Sequence, residues 1–223
     1  MNLTVVENEL GQKTLYRADI QETYHSIHGA IAESKHVFIE AGLKYWLNRS
    51  VKQQLSILEV GFGTGLNAML TLLESNVQDN EVWYTALETL ALPYSLIAKL
   101  EYQKELSLEN EKLFSDMHLG DWEVDLPLTA NFVLYKTLNP IETFLSNKTY
   151  DLIYFDAFGP DKQSELWQPE IFKKIFGLMN SGGVFVTYSA KGDVRRSLLA
   201  AGFEVTKLEG PPHKRHMLRA IKH

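Results

Sequence analysis

No cysteine occurs anywhere in the 223 residues. Disulfides, cysteine-bound zinc, iron–sulfur clusters and any mechanism built on a thiolate nucleophile are therefore excluded. Long apolar runs are missing too, and no segment approaches the length of a membrane span. The first ten residues carry Glu7 and Glu9, with no basic stretch ahead of an apolar one. A secretory signal is not expected, and a cytoplasmic protein is. His25, His28 and His36 lack the i, i+4 spacing of a helical metal pair, so no metal is expected. Repeats, low-complexity tracts and interdomain linkers are also absent. With 45% hydrophobic and 22% charged residues, the chain reads as one globular domain over residues 1–223.

Positive charge is scarce until the end. Residues 191–223 hold 8 Lys or Arg against 3 Asp or Glu, whereas residues 1–190 hold 14 against 25. A basic end on a protein of net charge −6 is either an electrostatic footprint for nucleic acid or a solvated basic hairpin.

The remaining chain is arranged around Ile57-Leu-Glu59-Val-Gly61-Phe62-Gly63-Thr-Gly65-Leu-Asn67. Its order is strand, glycine turn, helix start. Three alternating glycines permit positive φ and close approach of a ligand to the backbone, beside unsatisfied N–H groups of a helix N-terminus. The dinucleotide fingerprint G-x-G-x-x-G requires its third glycine where Leu66 stands, and the spacing is E-x-G-x-G-x-G instead. A carboxylate at Glu59 would repel a pyrophosphate but suits the ammonium of S-adenosylmethionine. An adenosyl cofactor is the expectation, and a nicotinamide oxidoreductase is disfavoured.

Residues 1–50 read as an addition before the cofactor-binding core of 51–223. A small hairpin spans Leu3–Val6 and Thr14–Arg17, a helix covers Glu33–Leu47, and Tyr24, His25 and Ser26 between them are pocket candidates. In the core, Glu81–Glu88 is a second strand ending in an acid, placed to reach ribose hydroxyls. Pro93–Glu105 reads as a helix, and residues 107–130 as an irregular connection with one short helix. Phe132–Tyr135 is a strand, followed by a turn and helix start at Asn139-Pro140, where Asn139 can meet an adenine edge. The strand Tyr150–Phe155 ends at Asp156-Ala-Phe158-Gly-Pro160, on the same crevice as the glycine turn. Asp156 can orient or deprotonate an acceptor that Phe158 stacks. Trp167-Gln-Pro169 opens a helix to Met179, and Gly182-Gly183 turns into a strand at Val184–Tyr188. A helix at Val194–Ala201 and a hairpin, Phe203–Leu208 with His216–Ile221, close the chain. This alternation predicts an α/β fold: a Rossmann-like, doubly wound, mostly parallel sheet with an antiparallel C-terminal hairpin.

With these pieces placed, the chain resembles the methyltransferase part of the MnmC/MnmD family. The likeness lies in GAIAESKHVF at 29–38, FGTGLN at 62–67, FDAFGP at 155–160 with Glu165-Leu-Trp167, Val194-Arg195-Arg196 with Ala201-Gly-Phe203, and Lys214-Arg215 with Met217-Leu218. The resemblance implies a class I fold and S-adenosylmethionine-dependent N-methylation of the 5-aminomethyl group of wobble uridine in tRNA. It puts the cofactor on Glu59, Gly61, Phe62, Gly63, Gly65, Asn67, Glu88, Asn139 and Asp156, although many relatives carry aspartate where Asn139 stands. Asp156 would face the amine. The tRNA anticodon region would meet Phe158 and Trp167 by stacking and Lys191, Arg195, Arg196, Lys214, Arg215 and Arg219 through phosphates. No flavin-dependent oxidase half is expected in this chain. Two other readings stay open: a methyl- or aminopropyl-transferase on a small amine, and a catalytically silent RNA adaptor that binds the cofactor.

Overall fold

Two sheets organise the molecule, which is described from a computed structural model covering residues 2–7, 11–25, 29–77, 80–108 and 110–223. The first is a small antiparallel sheet of β1 (Leu3–Glu7), β2 (Lys13–Arg17) and β3 (Glu22–Thr23), in that order. A long helical rod, α1, follows over residues 30–47. Its middle, Lys35–Lys44, is wound as a π-helix, where the sequence predicts ordinary helix. Val37, Phe38, Ile39 and Leu43 are buried on this rod. Gly42 brings its backbone against the sheet, since a Cβ there would lie 3.0 Å from Val186.

The second sheet has β4 (Gln54–Val60), β5 (Glu81–Leu87), β6 (Asp125–Thr129), β7 (Phe132–Thr137), β8 (Tyr150–Phe155), β9 (Met179–Thr187), β10 (Glu204–Glu209) and β11 (His216–Ile221). Its order is β10-β11-β9-β8-β4-β5-β7-β6. The five central strands are parallel, and β6, β10 and β11 are antiparallel to their neighbours. Both faces of the sheet are covered, so β8 is buried at every residue. Leu55 and Ile57 of β4 pack in the cluster that contains Phe38, Met69 and Phe114. Leu58 and Val60 point the other way, into the cluster of Trp167, Phe172 and Leu198. The predicted doubly wound architecture is present.

Several local expectations are corrected. The helix predicted over Pro93–Glu105 is broken: α-helical turns at Tyr94–Ile97 and Tyr102–Glu105 flank Glu101, which takes φ 58° and pairs with Lys13 and Lys104. Residues 107–130 contain a helix at Glu111–Leu119 and the edge strand β6, whose register slips between Pro127 and Thr129. Proline lacks the ladder N–H, which is why such a segment is confined to an edge. After Asn139-Pro140 the chain turns but forms no helix before β8. The helix Pro169–Leu178 runs directly into β9, so Gly182 and Gly183 lie inside that strand.

The chain returns from β7 to β8 on the far side of β4. Val60 and Phe155 end adjacent parallel strands at this reversal, in register with each other. Their carboxyl ends open the crevice expected at a topological switch point.

Candidate active site

The glycine turn leaves β4 and hangs from the end of β5: the N–H groups of Gly61 and Phe62 both donate to Leu87 O at 3.0 Å. Gly61, Gly63 and Gly65 take φ 95°, 50° and 72°. The next segment is the expected helix, α2 (Leu66–Val77). The Gly63 N–H donates to Glu88 Oε2 at 2.9 Å, while Glu88 Oε1 accepts from the N–H groups of Thr89 and Leu90. A carboxylate offers about four lone-pair sites, so Oε2 retains one for a hydroxyl donor.

Behind the turn lies a chain of acids. Asn67 Nδ2 donates to Glu59 Oε1 at 2.9 Å and to Asp156 Oδ2 at 2.8 Å. Glu59 is 0% exposed, and burial raises its pKa well above the usual carboxylate range. Its Oε2 and the Tyr84 hydroxyl interact electrostatically but lie outside hydrogen-bond geometry. Asp156 lines the cavity. Burial pushes its pKa up to about 7, aided by the nearby Glu33 and opposed by Asn67 and Lys214.

The small N-terminal sheet covers the turn. Tyr24 stands over Gly63, whose Cβ would lie 3.3 Å from the ring, and meets Phe158 edge-on at 5.0 Å. Arg17 lies over the same phenyl ring at 5.6 Å. His25 bridges Thr64 Oγ1, 3.2 Å from Nε2, and Tyr102 Oη, 3.1 Å from Nδ1. Burial lowers the pKa of that imidazole to about 4, leaving it neutral. Lys162 ties the loop after β8 to this sheet by donating to Ile20 O and Gln21 O.

Opposite, Trp167 Nε1 donates to Phe158 O at 2.8 Å, and the Tyr188 hydroxyl donates to Ala157 O at 2.8 Å. Lys214 sits 4.3 Å above the Tyr188 ring and pairs with Glu33 of α1. Lys191 pairs with Asp161 at the rim. Together these elements enclose a cavity of about 790 Å³, within the usual range for small-molecule sites.

Of the residues expected here, Gly61, Phe62, Gly63, Asn67, Glu88, Asn139, Asp156, Phe158, Lys191 and Lys214 line the cavity. Others do not. Glu59 is sealed behind Asn67, and Gly65 is buried in the turn. Trp167 is only 5% exposed and packs on Phe155, Phe172 and Tyr188, so it offers no face for stacking a base. Arg195, Arg196 and Arg215 are exposed outside the cavity. Arg219 faces α1 instead, 3.4 Å from the Tyr45 ring, which removes it from the phosphate contacts. Ser26 and His28 lie outside the described residues. The sequence reading missed Arg17, Glu33 and Tyr188, which converge only through long-range folding. Among the described residues no group of three His, Asp or Glu is placed to hold a metal, and no helix is long and apolar enough to cross a membrane.

A family model for S-adenosyl-L-methionine-dependent methyltransferases matches residues 95–223, more than half of the chain. The chain belongs to that family. The methyltransferase is 30% identical over 97% of its length to the tRNA 5-methylaminomethyl-2-thiouridine biosynthesis bifunctional protein MnmC of Idiomarina loihiensis, of which it covers 38%. It is 31% identical over 92% of its length to the protein of the same name from Ralstonia nicotianae, covering 32% of it. The chain thus spans about a third of the length of these relatives. The crystal structure of MNMC2 from Aquifex aeolicus superposes with a TM-score of 0.74 at 26% identity, covering 99% of the methyltransferase and 70% of that chain. Spermidine synthase from Thermotoga maritima, at 13% identity and a TM-score of 0.59, shares the fold.

The cofactor of this family suits the cavity. The methyltransferase's glycine turn brings backbone to the cavity wall, Glu88 Oε2 keeps an acceptor site for a hydroxyl donor, and Asn139, whose Nδ2 donates to Thr137 Oγ1 at 2.8 Å, lines the same wall. The acid-rich lining favours a sulfonium cation.

Proposed function

We propose that the protein transfers a methyl group from S-adenosylmethionine to the nitrogen of 5-aminomethyl-(2-thio)uridine at the tRNA wobble position. The product would be the 5-methylaminomethyl nucleoside named in its relatives. The observation that carries this reading is Asp156, a partly exposed carboxylate on the cavity wall beside Phe158, whose pKa desolvation pushes up to about 7. We treat residues 1–223 as one methyltransferase domain whose first 50 residues cover the site, acting on cytoplasmic tRNA. The reaction needs no flavin.

When bound, S-adenosylmethionine supplies an electrophilic methyl on a positively charged sulfur. The acceptor must present a lone pair, yet an alkylamine of pKa about 10 is protonated at pH 7, at a cost of roughly 4 kcal/mol. Asp156 answers this need. Burial raises the pKa of a carboxylate and lowers that of an ammonium, so a dry site brings the two together. Asp156 would accept the amine proton and hold the nitrogen lone pair toward the methyl, which the cofactor would supply with the carbon–sulfur electron pair leaving on its sulfur. No covalent enzyme intermediate is required, in keeping with the absence of cysteine. Uracil C5 methylation through a cysteine adduct is excluded by that same absence.

Phe158 would stack the unpaired base, with Tyr24 and Arg17 behind it. Lys191 and Lys214 at the cavity, with Arg195, Arg196 and Arg215 beyond it, would meet phosphates of the anticodon region. The test is nucleoside mass analysis of tRNA carrying 5-aminomethyluridine after incubation with protein and labelled S-adenosylmethionine. One methyl on the aminomethyl nitrogen, lost in Asp156→Ala, is expected; unlabelled tRNA with intact cofactor binding would overturn the reading.

A second reading draws on Glu22, Glu33, Glu142, Asp161 and Glu165 around the same cavity, a lining that would also attract a small polyamine. Methyl transfer to such an amine, undiminished by excess bulk tRNA, would favour it.

A further inference from the structure

We propose that Asn67 is a positioning residue for Asp156: its side-chain amide clamps one oxygen of that carboxylate and is itself anchored by Glu59. The inference rests on the reading of Asp156 as the group that meets the acceptor amine.

An asparagine Nδ2 carries two hydrogens, and here each has a carboxyl oxygen, Glu59 Oε1 at 2.9 Å and Asp156 Oδ2 at 2.8 Å. An ionised Asp156 can only accept, so the amide must turn its nitrogen, not its oxygen, toward that carboxylate. Asn67 is 4% exposed and sits in the first turn of α2, directly after the glycine turn. The clamp therefore moves only if that turn moves. With Oδ2 held, Asp156 keeps Oδ1 for a substrate.

Glu59 serves this arrangement better as an acid than as an anion. It is wholly buried, one of its oxygens has no hydrogen-bond partner, and an unpaired buried carboxylate is costly. A neutral Glu59 still accepts from Asn67 and adds no negative charge beside Asp156. This differs from the expectation that Glu59 meets the cofactor ammonium. It also differs from a cofactor contact for Asn67, which would have to use the remaining amide oxygen, since both hydrogens are committed.

Other groups also face Asp156. They are Glu59 and Tyr84 from the sheet, Glu33 from α1, Tyr188 from the end of β9, and Lys214 from the loop between β10 and β11. Substituting Asn67 leaves all five in place, so a change in Asp156 titration reports the clamp.

The experiment compares Asn67→Ala and Asn67→Asp with the parent by three measurements: the pH profile of kcat/KM, cofactor affinity by calorimetry, and titration of the Asp156 side-chain carbon by NMR in the cofactor-loaded protein. For Asn67→Ala, kcat falls roughly tenfold to a hundredfold, as misplacement by about an ångström does. Its acid limb and its Asp156 titration both move up by about one unit, because a donor to the charged form is lost. Asn67→Asp keeps the shape, serves even where the alanine variant misfolds, and moves both further, because a like charge replaces the donor. Cofactor affinity stays within about threefold in both. A loss of cofactor affinity equal to the loss of kcat/KM would make Asn67 a cofactor ligand and overturn the clamp. An unmoved limb and titration would reduce it to structural support. The NMR titration needs no tRNA, so failure of the tRNA reading leaves the clamp separately tested.

Discussion

A Cβ at position 61 would stand 2.6 Å from the carbonyl oxygen of Asp156. The cofactor turn and the acceptor loop are thus pressed together at a glycine that also takes φ 95°. Close approach and left-handed backbone both forbid a side chain there. Gly61→Ala is expected to cost about 1–3 kcal/mol of stability and to weaken cofactor binding at least roughly tenfold. Thermal unfolding and calorimetry check this together; an alanine variant that binds the cofactor normally would mean that the turn can shift without disturbing the site.

Asp156 should make activity and stability respond to pH in opposite directions. In the proposed role of base it works when ionised, so kcat/KM is expected to rise with pH through about 7. For stability, a carboxyl raised from 3.8 to about 7 holds a proton in the folded state that the unfolded state has lost. Between those values folding binds protons, and the contribution of Asp156 declines as pH rises. Asp156→Asn is therefore expected to lose methyl transfer yet to gain stability over the parent as pH rises from about 4 to 8. Chemical denaturation at pH 4.5 and pH 8 would show it. An equal stability difference at both values would place the ionisation outside this window.

The parts of the site that were legible in the sequence are those with a local physical demand. Three glycines at alternate positions announce positive φ, and Glu88 and Asp156 announce themselves as acids just past apolar strands. Orientation across the fold was less legible. Trp167 has the composition of a stacking residue, but its neighbours Phe155 and Phe172 come from other elements and bury it. Arg219 belongs to a basic segment, and the pleat of β11 turns it to Tyr45 of α1. The edge strand β6 escaped because Pro127 argues against a strand, and the break at Glu101 because Lys13, far away in sequence, helps to hold it. Glu33, Tyr188 and Lys214 meet only when the helical rod, the sheet and the last hairpin have assembled.

Trp167, corrected from a stacking role, has a different expected effect. Its indole N–H holds Phe158 O, so Trp167→Phe keeps most of the packing and removes one hydrogen bond to the acceptor loop. Net loss of such a bond is about 1 kcal/mol, and kcat/KM for the proposed tRNA substrate should fall by roughly five- to tenfold. Cofactor affinity should remain near the parental value. Steady-state kinetics beside calorimetry would check this, and parental kcat/KM would show that the loop holds its place without the indole.

Arg195 and Arg196 lie at the start of the helix Gly192–Ala200, exposed and outside the cavity. If they meet phosphates, replacing both with alanine removes about two counterion-releasing contacts and flattens the slope of log K against log salt by roughly 1.5 to 2. Binding of tRNA weakens most at low salt, while cofactor affinity is unchanged. Filter binding across a salt series reads the slope directly; an unchanged slope would remove this pair from the interface.

Asp151 offers a control for stability at the opposite end of β8. Its carboxylate accepts from Lys52 Nζ at 2.6 Å, Asn180 Nδ2 at 2.9 Å, and Ser56 N and Oγ at 3.1 and 2.9 Å. Burial would raise its pKa, but the hydrogen bonds led by Lys52 and Asn180 outweigh it and hold the pKa below 3.8. The stabilisation is thus complete above that value and lost as pH falls through the lower folded pKa. Asp151→Ala takes the acceptor away from the half-buried Ser56 and Asn180 and the exposed Lys52 and should cost about 1–3 kcal/mol at pH 7. The difference from the parent should shrink on acidification below about pH 4. Because Asp151 lies a full strand length from Asp156, methyl transfer per folded molecule should stay at the parental level. A fall in specific activity equal to that of the active-site variants would show that the strand transmits disturbance along its length, from the beginning of β8 to the acceptor loop.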